Sequence, residues 1–397
     1  MRWSMPWCGW PPTAVCSRRW SSRHWKRFAS AFHLSSRWRF SATCMNAWRR
    51  SVRGQAMLDR LKRIILFCFY LSQLWRLVAM ANRGRLVILM YHGVTDQPVE
   101  VWTQVPVAAF ERQMRYISDA CTPISLDDAL DRLDKGRLPG RPVVVTFDDG
   151  FLNNREQAHP ILQKYGVPAT IYLTTSFVAA DQRYDGLIWT DYVYSLLQTA
   201  TEERIDLSEF GAGRYFLTDY TSRGAAKEVL CSRLKRLPDR ERQSALQRLA
   251  EQTKGRVSDS SRAIFAPLSW DDVRAMAADP LVTFGAHTVG HPILTQLPHQ
   301  AMIDEITTSQ ETIKDRTGEA PDLFAYPNGT REDFDETVKA AVAERYRCAV
   351  STIAGLNDAA IDRYELRRIG VGNDMPLWEF KLQVSGSIQF INRLLGR

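Results

Sequence analysis

From residue 85 onward, short runs of β-branched and aromatic residues alternate with helical stretches, and this alternation constrains the fold more than any other feature. The runs are Arg85–Tyr91, Pro142–Phe147, Pro168–Leu173 and Leu281–Ala286, with shorter ones near Leu323–Tyr326 and Cys348–Ser351. Pro142–Phe147 reads PVVVTF and is the strongest strand signal of the set. Between the runs, Pro106 opens a helix over Val107–Asp119, and Ser125 caps one over Leu126–Leu133 that Gly136 stops. A helix over Asn154–Tyr165 ends at Gly166, and others fall at about 299–317 and 333–345. Strands alternating with helices predict an α/β fold with a parallel sheet or barrel. Chemistry in such folds sits at the C-terminal ends of the strands.

Residues 181–266 break the rhythm. They are rich in Arg, Glu, Gln and Leu, and read as a helical insertion with helices over Thr190–Thr199, Arg223–Leu237 and Arg240–Lys254. The insertion is expected to cap one side of a body that spans 85–397.

The charge is unevenly spread. Residues 1–56 hold eleven Lys/Arg and no acid, which leaves 41 basic against 44 acidic residues, a net of −3, for the rest. A near-neutral body carries no nucleic-acid footprint. The first 56 residues also hold seven of the twelve tryptophans and show no helical or strand period. They lack the apolar core of a signal peptide, about 7–15 residues. We read them as unstructured or upstream sequence, with Met57 as the start; a basic tail is the alternative. Residues 57–84 read as an amphipathic helix, with apolar residues at Leu58, Leu61, Ile64, Ile65 and Phe69. Its uncharged run, Ile64–Trp75, is twelve residues, short of the ~20 that cross a bilayer. The segment 57–81 therefore packs on the body or lies on a membrane surface, and a cytoplasmic or membrane-associated location is expected. The cysteines form no CxxC pair, which speaks against a thiolate zinc site or a disulfide framework.

Three strand ends carry candidate chemistry. Asp148-Asp149-Gly150 follows the strongest strand, where a turn at Gly150 lets both carboxylates face one pocket. One could hold a metal while the other takes a proton from water; the bland alternative is an Asp-Gly surface turn. His287 and His291 follow Leu281–Ala286 and could meet one ion if the residues between them make a helical turn; Pro292 ends such a turn at His291. Phe324–Gly329 (FAYPNG) runs from a strand into a turn, and its backbone N–H groups could reach the pocket rim.

TFDDG, HTVGH and FAYPNG, in this order, resemble the motif set of the polysaccharide deacetylase family, which includes the NodB-like chitooligosaccharide deacetylases. Leu268–Asp271 (LSWD) and Pro292–Leu294 fit the same pattern, and the resemblance covers about 85–371. Tyr91-His92-Gly93-Val94 looks like the branch of the poly-N-acetylglucosamine deacetylases. The resemblance implies a distorted (β/α) barrel of about seven parallel strands, here with a helical insertion. It implies a divalent metal, commonly zinc, held by Asp149, His287 and His291, and an N-acetylated glycan as substrate. Asp148 would be the general base, and the Tyr326 backbone N–H would help hold the oxyanion.

One part of the family pattern is missing. Many members take the acid for the leaving amine from a late Leu-x-His motif, but this chain reads Glu365–Val371 (ELRRIGV) there, and its last histidine is His299. His92, at the end of the first strand, is the substitute we expect. The third motif supplies no arginine, so Arg368 is expected to pair with Asp148 and hold it ionised. The alternatives are a catalytically inactive carbohydrate-binding relative and a membrane-surface deacetylase of lipid-linked sugars.

Overall fold

A computed structural model describes residues 60–99, 101–179 and 183–394. The expected unstructured segment 1–56 lies outside the described residues. The chain divides into Met1–Trp75 and Arg76–Arg397.

The described part of the first unit contains the helix Arg60–Leu71. It does not run on to residue 84 as the sequence suggested. Ser72–Leu74 form a turn with Gln73 at φ 60°, and Ser72 Oγ donates to the Phe69 carbonyl at 2.8 Å. A side chain that competes for the helical carbonyl, next to a left-handed residue, ends the helix there. Trp75–Ala81 is a separate helix. Among the described residues no single helix is long and apolar enough to span a bilayer; the two reach that length only as a pair across the break.

In the second unit, seven strands run as one sheet. They are β1 (Val87–Tyr91), β2 (Pro142–Phe147), β3 (Ala169–Leu173), β4 (Val282–Ala286), β5 (Leu323–Ala325), β6 (Cys348–Val350) and β7 (Ile369–Gly370). Their order is β6-β5-β4-β3-β2-β1-β7, with Thr122–Pro123 added beside β2. Every pairing along that order is parallel. The sheet curls: Val350 of β6 bridges to Leu366, and Leu366 N donates to the Ala349 carbonyl at 3.0 Å, which brings the two ends of the order together. The result is the distorted (β/α) barrel of about seven strands that the resemblance implied.

The strands bury both faces. Val87, Leu89 and Tyr91 of β1, with Val143, Val145 and Phe147 of β2, pack in one core with Phe110 and Met114 of the helix Val107–Ala120. The alternate residues, Leu86, Ile88 and Val144, pack in a second core with Tyr172, Leu323 and Cys348. This explains why the strands read as continuous apolar runs with no polar alternation. Each such side chain contributes roughly 1.5–3 kcal/mol by leaving water.

Helix ends follow the expected signals. Ser125 Oγ accepts from Asp128 N at 3.1 Å at the start of Leu126–Asp134, and Gly166 closes His159–Tyr165 at φ 62°. One detail differs: Asn154–Ala158 is a π-turn, not α-helix. The insertion has its own core, built from Leu196, Leu197, Leu230, Leu234, Leu246 and Leu249 on the helices Trp189–Gln198, Tyr220–Leu234 and Asp239–Thr253. It also contains an antiparallel hairpin, Arg204–Leu207 with Gly213–Phe216, that the sequence pattern did not reveal.

Candidate active site

Parallel register brings the strand ends to one side of the sheet. Tyr91 is level with Phe147, Leu173 with Ala286, and Ala286 with Phe324. The residues that follow these strands, His92, Asp148, His287 and Tyr326, therefore start from one rim.

Asp148 and Asp149 leave that rim in different directions because the chain turns between them. Asp148 N still continues the ladder, donating to the Tyr91 carbonyl at 3.0 Å, while Asp149 is left-handed at φ 78° and Gly150 follows at φ 91°. A side chain at Gly150 would also meet Leu173 Cδ2 at 2.9 Å, so the turn needs glycine twice over.

The two histidines do not sit on a helical turn. His287 N donates to the Leu173 carbonyl at 2.9 Å, so His287 is still in strand register. Thr288 and His291 are left-handed, at φ 67° and 58°. Thr288 Oγ1 accepts from His291 N at 3.0 Å, and Glu305 accepts from Val289 N and Gly290 N at 2.8 and 2.9 Å. A side-chain-clasped loop thus does what a helical turn was expected to do. A left-handed β-branched residue is costly and persists only where the surroundings fix it.

Asp149, His287 and His291 converge, with one ligand atom of each lying within 4.8 Å of the others; no other such cluster occurs among the described residues. Asp149 Oδ1 lies 3.8 Å from His287 Nε2 and 3.7 Å from His291 Nε2. These gaps are too long for hydrogen bonds. They approach the separation of about 3.4 Å between neighbouring tetrahedral ligands that each lie ~2.1 Å from a metal. Asp149 Oδ1 is buried and has no hydrogen-bond partner among the described residues. The His287 Nδ1 to Ala325 carbonyl contact, 2.7 Å, assigns the proton to Nδ1 and leaves the Nε2 lone pair facing Asp149. Burial lowers both histidines, His291 well below its ordinary range with His287 adding to the effect, so both rings are neutral donors. Burial and the neighbouring Asp148 charge push Asp149 well above the carboxylate range, so its ionised form is favoured only with a cation beside it. The donor set fits a divalent metal ion.

Asp148 meets a different fate one residue away. Burial would raise it, but Arg368 and His287 outweigh burial and hold it at about 2. Arg368 is wholly buried, donates to both Asp148 oxygens at 2.6 and 2.8 Å, and is anchored by Nε on the Ser351 carbonyl at 2.9 Å.

His92 is half-buried, and its ring packs edge-on against Trp102 at 5.5 Å. Its Nδ1 has no hydrogen-bond partner among the described residues. Burial lowers it to about 4, while Asp148, the strongest charge acting on it, pulls the other way. Tyr326 corrects an expectation. Its backbone N–H, expected at the oxyanion, donates to the Val350 carbonyl at 3.2 Å. The β5–β6 ladder runs one residue past Ala325 and takes that donor away from the pocket.

The sequence motifs missed several contributors. Asn154 Nδ2 donates to the His92 carbonyl at 2.7 Å from the π-turn; Trp102 backs the His92 ring; Glu305 clasps the histidine loop. The charge of Lys235, from the insertion, acts on Asp149, His291 and His92. Only Asn154, soon after the Asp-Asp-Gly turn, had a positional cue.

The polysaccharide deacetylase family matches residues 135–348, a stretch that contains Asp148, Asp149, His287, His291 and Tyr326. The chain is a member of that family. A Staphylococcus aureus poly-β-1,6-N-acetyl-D-glucosamine N-deacetylase is 35% identical over 78 residues, 19% of this chain and 27% of that protein. A Bacillus subtilis relative is 34% identical over 92 residues, 23% of this chain and 32% of its own length. The chain thus matches a third or less of the length of these curated relatives. The fold of this family member is shared with a Streptococcus pyogenes deacetylase solved with acetate (TM-score 0.51, 19% identity, 76% of this chain and 99% of that one). It is shared equally with IcaB from Ammonifex degensii (TM-score 0.50, 18% identity, 76% and 97%).

Proposed function

We propose that this protein hydrolyses the acetamide C–N bond of N-acetylhexosamine units in a poly- or oligosaccharide, with a divalent metal, zinc in our reading, held by Asp149, His287 and His291. The convergence of those three side chains beside an Arg368-held Asp148 is the observation that carries the reading. The S. aureus relative, named for removing N-acetyl groups from a glucosamine polymer, supports the substrate class.

When bound, the metal polarises the acetyl carbonyl and makes a water easier to deprotonate. Asp148 takes the water's proton on a carboxylate oxygen. Arg368 occupies two of its lone-pair sites and leaves others open. A carboxylate held near 2 is a weak base but is fully ionised at neutral pH, so it is always ready to accept. The hydroxide then adds to the acetyl carbon, the C–N bond breaks, and the amine leaves with a proton from His92. Burial keeps resting His92 neutral, so the proton it hands to the amine is the one Asp148 took from the water, passed on through the imidazole, and the site gains no net proton over the cycle. With the Tyr326 amide committed to Val350, no backbone donor from that strand is assigned to the oxyanion.

The test is acetate release from N-acetylglucosamine oligomers with zinc supplied and with the protein stripped by a chelator. Metal-dependent release is expected. Absence of acetate from every N-acetylated glycan offered, with the metal demonstrably bound, would overturn the reading.

A further inference from the structure

Thirteen large apolar side chains stand in solvent among the described residues, and eight of them fall within twenty positions, 61–80. In the helix Arg60–Leu71 they keep helical spacing. Leu61, Ile64, Ile65 and Leu71 share one side, each 41–60% exposed, while Leu66 on the opposite side is buried. An amphipathic helix ordinarily turns such a row inward. Single exposed apolar residues need no account, but a contiguous row marks an interaction surface.

The second unit shows the same pattern by itself. Leu77 and Met80 point outward from the helix Trp75–Ala81, 62% and 61% exposed, while Ala79 is buried. This stretch is fastened where the strands begin. Gly84 N donates to the Gly140 carbonyl at 3.3 Å, two residues before β2, and Leu86 leads directly into β1. Asn82 Nδ2 adds a bond to the Ser385 carbonyl at 2.9 Å. The candidate active site lies at the other ends of the same strands.

Charge selects the occupant. From residue 1 to residue 95 the chain holds seventeen Lys/Arg and a single acid, Asp59. Arg60, Lys62, Arg63 and Arg76 sit among the apolar positions themselves. A second copy of so basic a segment would be repelled. An anionic lipid surface accepts both parts, the apolar row at the acyl boundary and the cations among the headgroups. The twelve-residue helix Arg60–Leu71 is ~18 Å long, against a hydrocarbon core of ~30 Å, a length suited to lying in the surface. We propose that residues 60–81 dock this protein on an anionic lipid surface, with the strand-start end of the barrel towards the lipid. The candidate active site then opens away from the membrane. The proposal is independent of the deacetylase reading.

The test is sedimentation of the full chain with vesicles of phosphatidylcholine alone and of phosphatidylcholine mixed with phosphatidylglycerol. The wild type should bind the mixed vesicles more tightly, and that preference should fade as salt is raised. The double variants Ile64→Glu with Leu71→Glu, and Leu77→Glu with Met80→Glu, should each bind at least about tenfold more weakly, since an apolar contact leaves the lipid at every changed position. All four side chains are exposed, so urea unfolding should match the wild type. Unchanged vesicle binding in either variant would assign the affinity to basic residues elsewhere and overturn the docking. A wild type that ignores the mixed vesicles, or binds both kinds equally at every salt concentration, would overturn it too. Should one variant fail to fold, the other variant and the salt dependence of the wild type decide. Sedimentation velocity reads the remaining occupant: a dimer that Ile64→Glu with Leu71→Glu abolishes would give the face to a second copy and overturn the lipid assignment.

Discussion

Arg368 grips Asp148 through two hydrogen bonds, 2.6 and 2.8 Å long, between residues 220 positions apart in the chain. Both are buried, so the charges are worth something only as a pair. Arg368→Gln leaves a carboxylate in a dry site without its counter-charge. We expect a loss of about 3–5 kcal/mol in urea unfolding. Asp148 sits at about 2 against 3.8 when free, so the wild-type pair stabilises fully above pH 4 and loses that contribution as pH falls towards 2. Arg368→Gln should lack this acid-side decline. An identical pH dependence in the two proteins would count against the pair.

The two carboxylates of the turn should separate cleanly in mutants. Asp148→Asn should keep bound zinc at wild-type stoichiometry yet turn over at least about a hundredfold more slowly. His287→Ala should lose the zinc itself, since it removes the Nε2 that faces Asp149. Metal analysis alongside acetate release distinguishes the two. An Asp148→Asn protein that stays fast would remove Asp148 from the base role.

His92 should titrate abnormally in the metal-free protein. A proton NMR titration should place its midpoint at about 4, because burial disfavours the charged ring. Stability should accordingly fall as pH drops from 6.5 to about 4, where the unfolded chain binds a proton that the folded one refuses. Trp102→Ala opens one side of the ring and should move the midpoint up towards 6.5. In turnover, His92→Asn should alter the pH–rate profile, and an unchanged profile would place the acid elsewhere.

Glu305 should matter to the metal without touching it. It accepts from Val289 N and Gly290 N and so fixes the loop that carries His291. Glu305→Ala should weaken zinc binding about 10- to 100-fold in competition with a chelating dye. Unchanged affinity would show that the Thr288–His291 contact holds the loop unaided.

Much of this was readable along the chain. Pro142–Phe147 had to be a buried strand, because a β-branched run of that length has few other places to go. A strand followed by Asp148-Asp149-Gly150, and another followed by His287 and His291, marked two ends of one pocket once parallel pairing was granted. These are local signals: composition, period, and a glycine where the backbone turns left-handed. The same locality misled at the histidine loop. Four-residue spacing suggested a helical turn, but the spacing is met by a loop in which Thr288 and His291 are left-handed and Glu305 supplies the clasp.

What the sequence determined by itself was the fold class and the placing of Asp148, Asp149, His287 and His291 at strand ends that their own neighbours define; a ligand role for Asp149, His287 and His291 is what the family resemblance implied. The tertiary structure decided everything that depends on who faces whom. Curling of the sheet placed Arg368 against Asp148 and split two adjacent carboxylates into one held ionised and one pushed well above the carboxylate range. Continued pairing of β5 with β6 spent the Tyr326 amide on Val350. Packing of the insertion set Arg242 over Trp189 beside His291. Burial and charge are properties of neighbours, and these neighbours come from distant stretches of chain whose meeting only the folded sheet fixes.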